Sequence, residues 1–185
     1  LYFFLALASF EISAQTTAEE YLNSAESKFY LDDMKGAIVD FTKAIKIDSN
    51  YVEAYRKRGI AKETLKDFSG AIADYTKAIE IDPNYAFAYC DRGFAKDKLK
   101  DFSGAISDYS KALEIDPNYA RAFHDRGITK GKLKDFSGAI ADYSKAIRIY
   151  PNYATAYFNR GVSKFYLGDM TGACKDAKKA QELGD

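Results

Sequence analysis

Residues 66–72 read KDFSGAI, and the same seven residues return at 100–106 and 134–140. The spacing of 34 residues holds well outside that block. Gly59, Gly93, Gly127 and Gly161 keep it, as do Gly36, Gly70, Gly104, Gly138 and Gly172. Ala37, Ala71, Ala105, Ala139 and Ala173 keep it too, and so do Pro83, Pro117 and Pro151. IDPNY begins at 81 and at 115, and becomes IYPNY at 149. A fixed period of this length marks stacked units, each unable to bury its apolar face alone. It divides residues 15–185, read as one domain, into units at about 17–50, 51–84, 85–118, 119–152 and 153–185.

Each unit reads as two helices, A and B. In the second, Tyr55, Gly59, Lys62 and Leu65 lie at helical spacing. The pattern breaks at 66–69, where Asp67 is suited to cap the next helix. Ala71, Ile72, Tyr75, Ala78 and Ile79 form the apolar stripe of helix B, and Asp82-Pro83-Asn84 ends it. No stretch alternates with the period of a strand, so the predicted fold is all-α.

The 185 residues carry 27 Lys+Arg and 27 Asp+Glu, a formal net charge of zero. That argues against a nucleic-acid binder working through bulk positive charge. One histidine, His124, and two cysteines, Cys90 and Cys174, argue against a zinc site and a disulfide scaffold. No glycine-rich phosphate loop is present and no cofactor is implied. Residues 1–10, LYFFLALASF, are too short to span a bilayer, which takes about 20 residues. Residues 1–14 suit a truncated secretory signal, which implies export to a periplasmic or extracellular space; without it the chain is cytoplasmic. An extra amphipathic turn packed on the first unit is the competing reading.

From residue 17 onward the chain resembles the tetratricopeptide repeat family. Tyr55, Gly59, Ala71, Tyr75, Ala78 and Pro83 fill the places of its pattern. Tyr89, Gly93, Ala105, Tyr109, Ala112 and Pro117 fill them again, as do Phe123, Gly127, Ala139, Tyr143, Ala146 and Pro151. The resemblance implies a right-handed α-solenoid of about five helix-turn-helix repeats, with a concave groove lined by the A helices. It also implies a non-enzymatic scaffold for a protein or peptide partner. One site of the family is not supported. Its carboxylate clamp requires Lys and Asn where this chain has Leu22 and Glu26, and the register one repeat later meets Arg56, Ile60 and Asp91.

Two departures from the family pattern recur. Arg58, Arg92, Arg126 and Arg160 stand where Leu is usual, and Lys62, Lys96, Lys130 and Lys164 where Tyr is usual. Helix B carries Asp40, Asp74, Asp108, Asp142 and Asp176 at one equivalent place. The expectation is that each Arg pairs with the Asp of the preceding repeat, fixing register.

Repeats 51–84 and 85–118 are identical at 24 of 34 places, and seven of the ten differences fall in or just before helix A. That pattern fits either a groove diversified for an asymmetric ligand or a recent duplication. The groove candidates are Glu53, Arg56, Lys57 and Ile60; Phe87, Cys90, Asp91 and Phe94; Arg121, His124, Asp125 and Ile128; and Phe158, Asn159, Val162, Phe165 and Tyr166. Aromatics among charges suit an extended peptide or a partner helix. For Ile60, Phe94 and Ile128, packing between neighbouring A helices explains the residue type equally well. His124, Asp125, Cys90 and Asp91 are the cluster with catalytic residue types. Equivalent places in adjacent repeats lie roughly 8–10 Å apart, too far for bonds of about 2.0–2.3 Å to one metal. Neither catalysis nor metal binding is expected. Residues 15–50 carry net −3 and residues 119–152 net +4, a lengthwise dipole compatible with self-association through the ends. Lys175, Lys178, Lys179 and Gln181 make the last helix more polar than its equivalents, as a terminal cap requires; the alternative is that Ala177 and Ala180 leave a sticky end that stacks on another copy.

Overall fold

The recurring D-x-x-G of the KDFSGAI block is a helix-starting device. In the computed structural model, which describes residues 16–184, Asp67 Oδ1 accepts the Gly70 N–H at 2.9 Å. Asp33, Asp101, Asp135 and Asp169 do the same for Gly36, Gly104, Gly138 and Gly172. A Cβ on Gly70 would stand 2.1 Å from the capping carboxylate, so only glycine fits beneath this cap. At the other end Pro83 cannot continue the helix, and Asp82 Oδ1 accepts the Asn84 N–H at 2.9 Å to turn the chain.

These signals produce ten helices among the described residues. They are α1 (Ala18–Tyr30), α2 (Met34–Ile47), α3 (Val52–Thr64), α4 (Phe68–Ile81) and α5 (Ala86–Lys98). They continue as α6 (Phe102–Ile115), α7 (Ala120–Lys132), α8 (Phe136–Ile149), α9 (Ala154–Tyr166) and α10 (Met170–Glu182). Odd-numbered helices are the A helices and even-numbered ones the B helices. Each packs chiefly on its neighbours in sequence, so the chain is an α-solenoid of five hairpins. Residues 1–14, expected as a signal segment, lie outside the described residues.

Small residues bring the helices together. Ala54, Ala88, Ala122 and Ala156 are fully buried where each A helix meets the preceding hairpin. Within a hairpin, Tyr75, Tyr109 and Tyr143 lay their rings across Gly59, Gly93 and Gly127. A Cβ there would approach those rings to 2.5, 2.9 and 2.7 Å, so the glycines permit the close crossing expected of them.

The arginine expectation needs correction. Arg92 pairs with Asp108 of its own repeat, Nε–Oδ2 2.9 Å and Nη2–Oδ1 2.7 Å, and not with Asp74. Arg58–Asp74, Arg126–Asp142 and Arg160–Asp176 repeat the fork. Lys62, Lys96, Lys130 and Lys164 complete each buried triad at 2.7–2.8 Å. The preceding repeat is reached through a hydroxyl instead. Arg58, Arg92, Arg126 and Arg160 donate Nη1–H to Thr42, Thr76, Ser110 and Ser144 at 2.9–3.1 Å. The physical reason is geometric: a planar guanidinium that grips one carboxylate through two N–H groups has a third pointing back along the array. The first repeat has Ser24 in the arginine place, and Asp40 is held by Ser24, Lys28 and Lys43. Burial alone would raise the Asp40 carboxyl, but those three donors hold it down at about 2.

Candidate functional site

The helices α3 and α5, α5 and α7, and α7 and α9 approach one another, while successive B helices make no comparable approach. The A helices therefore form the inner wall of the curve. A chain of polar contacts runs along it, alternating contacts within a repeat with contacts that cross to the next. Glu26 accepts from Lys57, which also lies 3.7 Å from Glu53. Glu53 accepts from Tyr85 Oη and approaches Arg56 at 3.7 Å. Arg56 donates to Asp91 at 2.8 Å, and Arg121 reaches the other oxygen of Asp91 at 3.1 Å. Arg121 also donates to Asp125 at 3.3 Å. Asp125 Oδ1 lies 3.0 Å from His124 Nδ1, and His124 Nε2 lies 3.1 Å from Asn159 Nδ2. With the Asn159 amide donating to Nε2, the Nδ1–H donates to Asp125. The His124 ring stacks on Tyr153 at 4.8 Å.

The predicted residues thus fall into three groups. Glu53, Arg56, Lys57, Asp91, Arg121, His124, Asp125 and Asn159 form this ladder, so their variation between repeats is matched by partners one repeat away. Phe87, Phe94, Ile128 and Phe158 offer apolar surface. Phe87 packs edge-on to Tyr119 at 5.1 Å, with the Arg56 guanidinium 5.3 Å from its ring. Ile60 packs against Ala71, Tyr75 and Ala95, and so serves partly as the inter-helix filler its residue type allowed.

Cys90 does not line the groove. It is fully buried among Ala86, Ala105, Tyr109, Ala112, Leu113 and Ala122, because a short uncharged side chain at this offset sinks into the core where the longer Arg56 turns to the ladder; His124, at the same offset, is buried too but keeps its ring nitrogens on Asp125 and Asn159. Burial pushes its thiol up to about 12, so it is unreactive in the folded chain. Cys174 is exposed and neither cysteine is bonded.

Two hollows open between A helices. One, of about 110 Å³, lies between α1 and α3; Phe29, Tyr30, Phe41 and Ile60 wall it and Glu26, Arg56 and Lys57 rim it. The other, of about 70 Å³, lies between α5 and α7 and is walled by Phe94, Tyr109 and Ile128. Asp97, Lys98 and Lys132 rim it, Lys132 donating to Asp97 and Thr129 Oγ1 to the same carboxylate at 2.8 Å. Sequence reasoning passed over Phe29 and Tyr30, and counted Glu63 and Asp97 among the variable places of helix A without naming them as groove candidates. Their signal was available, because the offset that runs Phe29, Glu63, Asp97, Gly131, Phe165 holds four residue types in five repeats.

Glu63 forms no ion pair within 4 Å among the described residues. Tyr75 Oη donates to it at 3.1 Å, yet burial raises its carboxyl to about 7. No group of three or more His, Cys, Asp or Glu side chains is placed to hold a metal ion among the described residues. No helix there is long and apolar enough to cross a membrane.

Comparison with known proteins agrees with this architecture. The profile described as Tetratricopeptide repeat matches residues 86–119, and that described as TPR repeat matches 64–100 and 130–168. Among solved structures, the MamA protein is 28% identical, with 90% of this chain and 91% of that one covered at a TM-score of 0.79. PilF of Pseudomonas aeruginosa shares the fold at 18% identity, 91% and 77% coverage and a TM-score of 0.83. YrrB, described as a TPR protein with an unusual peptide-binding site, shares it at 20% identity, 92% and 88% coverage and a TM-score of 0.72. No curated protein sequence matches the chain. A 34-residue period, five packed hairpins and these profile matches converge on one conclusion: the chain belongs to the tetratricopeptide repeat family.

Proposed function

We propose that this protein is a non-catalytic interaction scaffold that holds a peptide or protein segment along its concave wall. The observation that carries the reading is the pair of hollows between A helices, each with apolar walls and a rim whose charges are largely paired, Lys57 to Glu26 in one and Lys132 to Asp97 in the other. Such hollows take aliphatic or aromatic anchors, while the paired rim leaves little net charge for a ligand to answer. Recognition therefore rests on shape and apolar contact, with charge setting register. Tyr30, 83% exposed over the first hollow, and Phe87 are the contacts removable without disturbing the core.

The test is selection of displayed random peptides on the wild-type protein. Enriched sequences with spaced apolar residues should bind wild type and lose at least about tenfold in affinity, or roughly 1.4 kcal/mol, on Tyr30→Asp or Phe87→Ala. Failure to enrich any peptide, or equal binding by both variants, overturns the reading. Export of the chain through residues 1–14 is part of the same proposal and is supported by the apolar run alone. Finding 1–14 retained on the protein from its native source, inside the cell, would overturn it.

A further inference from the structure

We propose that the ligand of the concave wall is an extended peptide in which two apolar anchors flank a lysine or arginine, and that Glu63 selects that cation. The inference rests on the groove reading above and names the class of segment the groove takes. It starts from one offset followed along the wall. Phe29, Glu63 and Asp97 occupy equivalent places on α1, α3 and α5. Phe29 walls the first hollow and Asp97 rims the second. Glu63 stands at the interval between them, where α3 meets α5.

Glu63 and Asp97 are acids in the same place with different surroundings. Asp97 is buried and accepts from Thr129 and Lys132, both supplied by the next A helix. The residues of α5 equivalent to that pair are Ala95 and Lys98. Ala95 has no side-chain donor to offer. Lys98 lies over the Phe94 ring instead, its ammonium 4.6 Å from the ring centre, and makes no ion pair among the described residues. Glu63 keeps one side-chain donor there, Tyr75 Oη at 3.1 Å. The charged groups around it are Asp91 and Lys98 on α5 and Arg121 on α7, and Arg121 is already committed to Asp91 and Asp125. A half-buried carboxylate with one neutral donor is left poorly compensated for lost water, and burial raises its carboxyl to about 7. An incoming ammonium or guanidinium supplies the missing partner. Glu63 is thus the charge on this wall left to set a ligand's register.

Helix spacing sets the pattern of the ligand. Packed helices lie roughly 8–10 Å apart, so two steps along the wall separate the hollows by about 16–20 Å. An extended chain advances about 3.3 Å per residue. Anchors seated in both hollows are therefore about five or six residues apart, and the residue that meets Glu63 lies midway between them.

Parallel selection of displayed random peptides on wild type and on Glu63→Gln tests this, with circular dichroism to confirm that the variant is folded. Wild type should enrich two apolar residues at that spacing with Lys or Arg between them. Glu63→Gln should enrich the same apolar pair with no excess of basic residues. In a resynthesised peptide selected on wild type, norleucine in place of the central cation should weaken binding to wild type at least about tenfold. The same replacement should leave binding to Glu63→Gln unchanged. The loss on wild type should be larger at pH 8.5 than at pH 5.5, because the cation is attracted by the ionised carboxylate alone. Apolar pairs enriched on wild type without a central cation would overturn this proposal and leave the groove reading standing. Failure to enrich any peptide would overturn both. A norleucine loss equal on Glu63→Gln, or one indifferent to pH, would place the selecting charge elsewhere and overturn the assignment to Glu63.

Discussion

Two networks of charge run through this solenoid, and they obey different rules. Between the helices of each hairpin, an Arg–Asp–Lys triad repeats with the same geometry from the second repeat to the fifth. Along the inner wall, the ladder from Glu26 to Asn159 never repeats a step: Arg56, Cys90, His124 and Phe158 occupy one offset, and Lys57, Asp91, Asp125 and Asn159 another. The triad closes within a repeat, so one pattern copied by duplication serves every time. The ladder also pairs residues of neighbouring repeats, so a change at one of those places is answered at the offset neighbour. Arg56, Asp91 and Arg121 show this, with alternating sign across three repeats. Variability on the wall thus reflects inter-repeat pairing as well as any ligand.

The contrast can be broken by mutation, and the triad should respond most. Asp108→Ala strands two half-buried cations and should cost about 3 kcal/mol in urea denaturation, with Asp142→Ala alike. Arg92→Ala combined with Asp108→Ala should be strongly non-additive, and combined with Asp74→Ala additive. Equal coupling to Asp74 would return the pairing to the preceding repeat.

The ladder should respond less. Arg56→Ala leaves Asp91 its second partner, Arg121, and should cost about 1–2 kcal/mol. A loss as large as that of Asp108→Ala would erase the distinction.

Glu63 sharpens the comparison through pH. Its folded-state carboxyl is raised from 4.5 to about 7, chiefly by burial, so the folded state holds a proton that the unfolded chain has lost. That contribution is fully present below about pH 4.5 and is lost as pH rises through about 7. Glu63→Gln should therefore stabilise the protein by about 1–2 kcal/mol at pH 8, after discounting for its partial exposure, and change little at pH 4. A gain independent of pH would sink this account.

The smallest effect belongs to the turns. Lys66, Lys100 and Lys134 hold φ of 62–66°, where the fifth repeat has Gly168 at 83°. Lys100→Gly should raise stability by up to about 1 kcal/mol, read as a rise in Tm. Folded protein should also consume thiol reagent at Cys174 alone, with Cys90 reacting only after denaturation.

Much of the fold was legible along the chain. The 34-residue period, the Asp caps, the Pro stops and the small residues at crossings each act within a few residues of themselves, and each appears in the structure where the spacing put it. The site was legible only in outline. The comparison of repeats located the wall, and most candidates lie on it. It could not tell that Cys90 turns into the core while Arg56 at the same offset turns outward, because depth depends on neighbours from the flanking hairpins.

Repetition in the residues was sufficient to dictate helices, their order and their stacking, since every hairpin must bury the same stripe against an identical neighbour. Which charges along the wall neutralise one another follows from distances between repeats. Those distances exist only once the hairpins are packed, because they join residues some 30 or more apart in the chain, such as Arg121 and Asp91.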